Sequence, residues 1–417
     1  MKLSENLAWR GFVNQTTYKD ISILDGDSVT FYWGVDPSSD SMQVGNLAIA
    51  MMVRHFIEQG HKAVLLVGGA TGMIGDPDGK SEERELKSFA EIDHNKNGIA
   101  EQYKRVFAGQ EFQLVDNYDW FKDIGYLDFL RDVGKHVPMR QMLSRDFVQS
   151  RLGEEGAGIS YAEFSYSLIQ GYDFVHLNKE YGVTLQVCGA DQWGNSIAGV
   201  ELVRRMNGNE AHIWSAPLVV NKATGKKFGK SEDGAVWLDE SKTSVYKFYQ
   251  FWLNSDDESV GDYLKFYTLL SKEEIEDILR RFDEDRSNRL AQKTLAYEVT
   301  KIVHGAERAN SVKRASEALF GSIAYAELQQ ADFEILAHEL PLIPVELSDT
   351  LVSVLSTAGL ASSNGEARRF LEQGAVYVNG FQVDAEATFT SENLLPGGYI
   401  MLRRGKNSNI ILQVSEK

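Results

Sequence analysis

Cysteine is nearly absent from this chain. Its 417 residues include one, Cys188, so a disulfide framework and a zinc site built on cysteine pairs are both excluded. The eight histidines fall at no HExxH or HxxxH spacing, which leaves a histidine-rich metal site without support. Long apolar runs are missing too. The longest, near Leu47–Val53 and Ala63–Val67, fall far short of the ~20 residues a membrane helix needs. The first residues, Met1-Lys2-Leu3-Ser4-Glu5, lack the apolar core of an export signal. Asn14-Gln15-Thr16 fits a glycosylation acceptor and is read as chance. A cytoplasmic location with no membrane partner is expected. No period of ~20–50 residues repeats, which argues against a solenoid.

Net positive charge is also missing. The chain carries −17, which argues against nonspecific polycation binding to nucleic acid. Any RNA contact would rest on local positive groups such as Lys227–Lys230 and Arg403–Lys406. Proline is scarce. There are seven, and none lies between Pro217 and Pro341, which fits a helical region because an internal proline removes a helix hydrogen bond. What is present is ordinary globular composition, 43% apolar and 25% charged, enough for two to four domains at ~100–200 residues each.

Residues 1–217 alternate strand and helix signals. Val29–Trp33, Ala63–Val67 and Thr184–Cys188 are apolar, β-prone runs. Helical stretches follow at Gly45–Gln59 and Asp191–Arg205. This alternation predicts a parallel sheet with helices on both faces, and ligands bind such sheets at the carboxyl ends of the strands. Residues 218–325 read as helical, with patterns at Val245–Leu253, Ser259–Leu270 and Glu273–Arg281. From Glu327 to Asp349 the chain is acidic and free of Lys and Arg, with Pro341 and Pro344 inside; it reads as a linker or small connecting element. Residues 346–417 are less acidic. They show two helical patterns, Thr350–Ala358 and Asn364–Gln373, a hairpin-like Val376–Gly380 and a basic cluster Arg403-Arg404-Gly405-Lys406.

Two glycine-rich segments approach a phosphate loop and miss it by one residue. Gly79-Lys80-Ser81 has Ile74, and Gly229-Lys230-Ser231 has Thr224, where the loop needs its first glycine. Gly69, Gly72 and Gly75 lack the dinucleotide spacing. Lys227-Phe228-Gly229-Lys230-Ser231 still brings two ammonium groups and a hydroxyl together, a chemistry suited to phosphate oxygens. Taken alone it reads more readily as a solvated turn. Asp36-Pro37-Ser38-Ser39-Asp40-Ser41-Met42-Gln43-Val44-Gly45-Asn46 follows the first strand and opens a helix. Gln43 and Asn46 share a face of its first turn. Gly45 leaves room for a flat ring, and the free N–H groups favour an anion.

These segments resemble class I aminoacyl-tRNA synthetases, with the HxGH-type helix start and a distant KFGKS loop. The likeness is closest to bacterial tyrosyl-tRNA synthetases. It is carried by Tyr32-Trp33-Gly34-Val35-Asp36-Pro37, Val67–Pro77, Phe129–His136, Glu163–Phe174, Asp191-Gln192-Trp193-Gly194-Asn195 and Lys227–Ser231. The tail resembles an S4-type RNA-binding domain. The implied fold class is α/β: a Rossmann-like parallel-sheet catalytic domain at 1–217 with a dimer-interface insertion, a helical anticodon-side domain at 218–325, an acidic linker at 326–345 and a small α+β S4-like domain at 346–417.

The resemblance implies roles residue by residue. Tyr32 and Asp173 would bond the phenolic hydroxyl of tyrosine. Tyr166, Gln170 and Asp76 would hold its ammonium group, and Gln192 would meet the carboxylate side. Tyr166, Gln170 and Asp173, at intervals of four and three, share one helical face. A buried polar pair built for a hydroxyl rejects phenylalanine, by ~10⁵-fold as known for this enzyme type. Asp36, Ser38, Gln43, Gly45, Asn46, Asp191 and Lys230 would bind ATP. Lys80, Arg84, Lys227, Lys230 and Ser231, with Gln43 and Asn46, would act on the phosphates, Mg²⁺ accompanying ATP. No structural metal is expected. tRNA(Tyr) is the implied partner, and the implied assembly is a homodimer with helices around Leu127–Gln149 near the interface. In the tail, Arg368, Arg369, Arg403, Arg404 and Lys406 are the RNA-contact candidates.

The departures are specific. The family's HxGH is Gln43-Val44-Gly45-Asn46, so two imidazoles become amides that donate but never ionise. Trp33 takes the place of a small residue near the ribose. Cys188 and Ala190 replace a glycine and a serine, and Cys188 is read as packing. Two alternatives stay open: a tryptophan-specific relative and a non-catalytic RNA-binding paralogue.

Overall fold

The computed structural model describes residues 1–77, 85–153, 156–222, 224–225, 228–231, 234–405 and 408–414. The chain divides into two compact units, one of residues 1–242 and 255–295, the other of 243–254 and 296–417. Residues 218–325 therefore contribute to both. Among the described residues no helix is long and apolar enough to cross a membrane.

The first unit holds a six-stranded sheet in the order β1-β6-β5-β2-β3-β4. The strands are β1 (Gln15–Thr16), β2 (Thr30–Val35), β3 (Lys62–Val67), β4 (Phe112–Asp116), β5 (Leu185–Gly189) and β6 (His212–Ala216). β1 runs antiparallel to β6 and the other pairings are parallel. From β2 the chain builds outward through β3 and β4, then returns to place β5 on the other side of β2. The topological switch point thus lies between β2 and β5, where a crevice opens at the carboxyl ends.

Strand alternation decides which side chains face that crevice. Tyr32 points to the face covered by helix Tyr161–Tyr181 and packs edge-on against Phe174 at 5.1 Å. Phe31 and Trp33 point to the opposite face. Phe31 meets Phe56 of helix Val44–Glu58 at 5.2 Å. Trp33, 4% exposed, packs on Tyr103 at 5.3 Å and Phe107 at 6.3 Å. A period of two thus packs the Trp33 indole into the core on the face of β2 opposite Tyr32.

Helix Tyr161–Tyr181 starts at Ser160, whose Oγ accepts from the Glu163 N–H at 3.3 Å, and ends at Gly182 in the left-handed region at φ 67°. The strand expected at 184–188 lies at 185–189. The helix expected from Asp191 begins at Trp193 after a 3-10 turn, Ala190–Gln192. That turn leaves Asp191 and Gln192 on the lip of the sheet.

The second unit holds a five-stranded sheet, order β11-β10-β12-β13-β9. Its strands are β9 (Leu342–Val345), β10 (Val376–Val378), β11 (Phe381–Gln382), β12 (Tyr399–Arg404) and β13 (Ser408–Val414); the two-residue β7 (Lys230–Ser231) and β8 (Gly234–Ala235) belong to the first unit. Asn379 and Gly380, at φ 51° and 89°, form the tight turn between β10 and β11. One sheet face buries Val376, Val378, Ile400 and Leu402 under Leu351, Leu355 and Leu371. The other places Tyr399, Met401 and Ile411 against Phe333 and Leu336. The acidic 326–345 segment contains helix Gln330–Glu339 and edge strand β9. Pro344 is tolerated there because an edge strand leaves one side of its backbone unpaired.

Candidate functional site

The site is built at the carboxyl ends of β2, β3, β4 and β5. Asp36 follows β2. Its Oδ1 accepts from Thr71 Oγ1 and its Oδ2 from Tyr166 Oη, both at 2.6 Å. Gly68 makes this possible: a Cβ there would lie 2.2 Å from Thr71 Oγ1 and 2.3 Å from Asp36 Oδ1. Burial pushes the Tyr166 hydroxyl well above its ordinary pKa, and the Asp36 charge adds to it.

The network continues through Asn117, which follows β4 and is fully buried. Its Nδ2 donates to Thr71 Oγ1 at 3.0 Å and to Asp173 Oδ2 at 3.1 Å, and its Oδ1 accepts from the Ala70 N–H at 2.6 Å. Trp120 Nε1 donates to Asp173 Oδ1 at 3.0 Å. Asp173 is 2% exposed. Burial pushes its carboxyl well above the usual range, with these two donors opposing. Tyr32 Oη and Gln170 Oε1 are buried with no hydrogen-bond partner among the described residues. Burial, then the Asp173 charge, pushes the Tyr32 hydroxyl well up. Such atoms cost free energy unless a ligand meets them.

On the β5 side, Gln192 Nε2 donates to Asp76 Oδ2 at 2.7 Å. Asp191 is exposed beside it. Cys188 is buried and its thiol is pushed up to about 12 by burial. It touches Ser196 Oγ at 3.6 Å and has the character of a packing residue.

The start of helix Val44–Glu58 and the KFGKS segment are joined through backbone. Val44 N donates to the Val236 carbonyl and Leu238 N to the Met42 carbonyl, each at 3.0 Å. Gln43 bridges Trp237 in antiparallel register. Val236 N donates to the Gly229 carbonyl at 3.1 Å. A Cβ on Gly229 would stand 3.5 Å from Gly45 N. Asn46 Oδ1 accepts from the Gln43 N–H at 3.0 Å, one half of a capping box. Gly45 is exposed and a Cβ there would meet nothing within 4 Å. Ser38 lines a small cleft with Asp36, Gly72, Ile74 and Gly75.

Several sequence candidates are not placed. Lys80, Arg84, Lys227 and Lys406 lie outside the described residues, and for Lys230 and Ser231 only the backbone of β7 is described. In the second unit Arg368 is exposed. Arg369 pairs with Glu366 at 3.1 Å. Arg403 stacks over Tyr377 at 4.1 Å, and Arg404 over Phe370 at 5.1 Å while bonding the Leu360 carbonyl at 2.8 Å. Sequence reasoning missed Thr71, Asn117 and Trp120. The signal for the last two was the run Phe112–Asp116, a short strand whose end delivers them.

A mostly parallel sheet with its site at the switch point is an architecture of nucleotide-binding enzymes, and the family match makes this one a class I tRNA synthetase. Residues 25–321 match the family described as tRNA synthetases class I (W and Y). Within that class the chain belongs to the tyrosine–tRNA ligase family. Residues 332–412 match the SYY-like C-terminal domain of tyrosine–tRNA ligases. The tyrosine–tRNA ligase of Geobacillus stearothermophilus is 44% identical over 422 residues, 99% of this chain and 100% of that protein. That of Staphylococcus saprophyticus is 44% identical over 415 residues, 97% of each. The crystal structure of a C-terminally truncated mitochondrial tyrosyl-tRNA synthetase from Aspergillus nidulans superposes with a TM-score of 0.69 at 31% identity, covering 76% of this chain and 94% of that one. A tryptophanyl-tRNA synthetase from Plasmodium falciparum shares the fold at a TM-score of 0.53 and 14% identity, over 75% of this chain and 86% of its own.

Proposed function

We propose that the chain is a tyrosine–tRNA ligase, which activates tyrosine with ATP and passes it to the 3′ end of tRNA(Tyr). The observation that carries the tyrosine assignment is the pair of unpartnered buried atoms, Tyr32 Oη and Gln170 Oε1, beside the ordered Asp36, Tyr166 and Asp173 carboxylate network. Tyr32 and Asp173 serve the phenolic hydroxyl. Gln170, Tyr166 and Asp76 serve the ammonium group, and Gln192 the carboxylate. Phenylalanine would leave Tyr32 Oη unmet in a dry pocket.

Activation needs no protein nucleophile. The tyrosine carboxylate attacks the α-phosphorus of ATP, and pyrophosphate leaves with its electron pair. A terminal hydroxyl of tRNA then attacks the adenylate's carbonyl carbon, the bond from that carbon to the phosphate oxygen breaks, and AMP leaves with its electron pair. Positioning and charge stabilisation supply the rate. Asp36, Ser38, Gly45 and Asp191 belong to the nucleotide side. Gln43, Asn46, Lys80, Arg84, Lys227, Lys230 and Ser231 act on the phosphates. The backbone link between Val44 and Val236 supports a single phosphate site made from both segments. Mg²⁺ enters with ATP as its counter-ion; among the described residues no group of three His, Cys, Asp or Glu is disposed to hold a metal.

The assembly is a homodimer in this reading. Tyr126, Leu127, Met139, Leu143, Leu152 and Tyr161 are all exposed, a concentration of apolar surface that a partner subunit would cover. The division into catalytic, helical and S4-like parts, the RNA-contact arginines Arg368, Arg369, Arg403 and Arg404 with Lys406, and a cytoplasmic location complete the reading. Amino-acid-dependent pyrophosphate exchange tests it. Tyrosine should support exchange, with phenylalanine and tryptophan at background. Preference for tryptophan would make the chain a tryptophan-specific relative. Background exchange with tyrosine in a folded protein would make it a non-catalytic paralogue.

A further inference from the structure

We infer that Arg145 is a positioning residue for the tyrosine site, acting through two amides in series. The inference rests on the tyrosine–tRNA ligase reading for the roles of Gln192 and Asp76. Arg145 lies between helices Met139–Leu143 and Asp146–Leu152. Its Nη1 donates to Asn195 Oδ1 at 2.6 Å, and its Nη2 to the Gly194 carbonyl at 2.9 Å. Asn195 Nδ2 donates to Gln192 Oε1 at 3.3 Å. Gln192 Nε2 donates in turn to Asp76 Oδ2 at 2.7 Å.

Charge fixes the direction of this chain. A guanidinium offers only donors and an ionised carboxylate only acceptors. An amide next to the guanidinium must turn its oxygen toward it and its NH₂ onward. The second amide follows, because its oxygen is already claimed by the first. Each link polarises the next. Asn195 is 4% exposed, so it has little water to trade for these bonds. The consequence is that Gln192 presents a donor, not an acceptor, to Asp76. The carboxylate that would grip the tyrosine ammonium is thereby held in one place. The relay also ties that carboxylate to the end of the helix that carries the exposed Met139 and Leu143.

Asn195→Asp separates positioning from stability. The new carboxylate still accepts from Arg145 but has nothing to donate to Gln192. Gln192 then turns its NH₂ toward residue 195 and away from Asp76. The dissociation constant for tyrosine, read by fluorescence titration of the full-length protein, should rise about tenfold or more. KM for ATP in pyrophosphate exchange and the melting temperature should stay at wild-type values. Arg145→Met should weaken tyrosine binding similarly, Arg145→Lys less, and the Arg145→Met/Asn195→Asp double variant no further than Asn195→Asp alone. An Asn195→Asp protein that binds tyrosine like the wild type overturns the relay. So do losses that simply add in the double variant. Failure of the wild type itself to bind tyrosine overturns the underlying reading. Should Asn195→Asp not fold, the two Arg145 variants decide: unchanged tyrosine binding in Arg145→Met overturns the inference.

Discussion

Trp120 donates its indole N–H to Asp173 Oδ1 at 3.0 Å, on the opposite side of the carboxylate from Asn117 at 3.1 Å. Two donors hold an acid that burial pushes well above the usual carboxylate range. The raised folded-state value sets the sign of a pH effect. The stability this group contributes is full below the unfolded value of about 3.9 and is lost as pH rises through the folded one. Asp173→Asn cannot titrate. The unfolding free energy of the wild type minus that of the variant should therefore fall as pH rises above about 4, with a limiting slope of about 1.4 kcal/mol per pH unit. Denaturant melts across a pH series check this, and a flat difference refutes it. The variant should also bind tyrosine more weakly.

Asn46 has two jobs on different atoms. Its Oδ1 caps the Gln43 N–H at 3.0 Å, which leaves its NH₂ as the donor. Asn46→Asp keeps the cap and adds a negative charge at a helix N-terminus, so stability should hold or gain up to ~1 kcal/mol. It removes the donor, so KM for ATP should rise. Asn46→Ala loses both and should cost about 1 kcal/mol of stability. Gln43→His should be tolerated or raise ATP turnover. Thermal melts beside exchange kinetics separate the two effects, and a wild-type KM for ATP in Asn46→Asp would remove its donor role.

The sheet and its helices were legible because buried parallel strands are continuous apolar runs. Val29–Trp33 and Ala63–Val67 differ from the observed strands by a residue or two. The face carrying Tyr166, Gln170 and Asp173 followed from helical spacing alone. Other features were hidden for physical reasons. Asn117 and Trp120 meet Asp173 only across the sheet, a contact no local pattern records. Pro341 and Pro344 gave 326–345 the look of a linker or small connecting element, and they hid its strand, because an edge strand accommodates proline. The packing of Trp33 on Tyr103 and Phe107 follows from the period-two geometry of β2 but joins residues some seventy apart. The Arg145–Asn195 bond joins residues fifty apart in sequence, beyond any motif.

The second unit sharpens a truncation experiment. Removing residues 346–417 should spare tyrosine-dependent exchange and weaken tRNA charging. The cut also strips Tyr399, Met401 and Ile411 from Phe333 and Leu336, including a Phe333–Tyr399 stack at 5.4 Å. A newly exposed apolar face of this kind promotes association. The truncated protein should aggregate at lower temperature than the full chain, which light scattering on heating would show. Charging equal to that of the intact protein would refute an RNA role for the tail.

Arg151 and Glu163 form an ion pair at 2.8 Å with side chains only 4% and 2% exposed. Arg151 also donates from Nε to the Gly158 carbonyl at 2.5 Å. The pair anchors the first turn of the helix that carries Tyr166, Gln170 and Asp173. Arg151→Met would strand a carboxylate out of water, at a cost of about 3–5 kcal/mol. Glu163→Gln placed on top of it removes the stranded charge and should recover part of that loss, a non-additivity expected of residues in contact. Chemical denaturation of the two single variants and the double variant measures the coupling. Full additivity would mean that the pair contributes nothing beyond its separate groups, and the helix start would then owe its stability to Ser160 and packing alone.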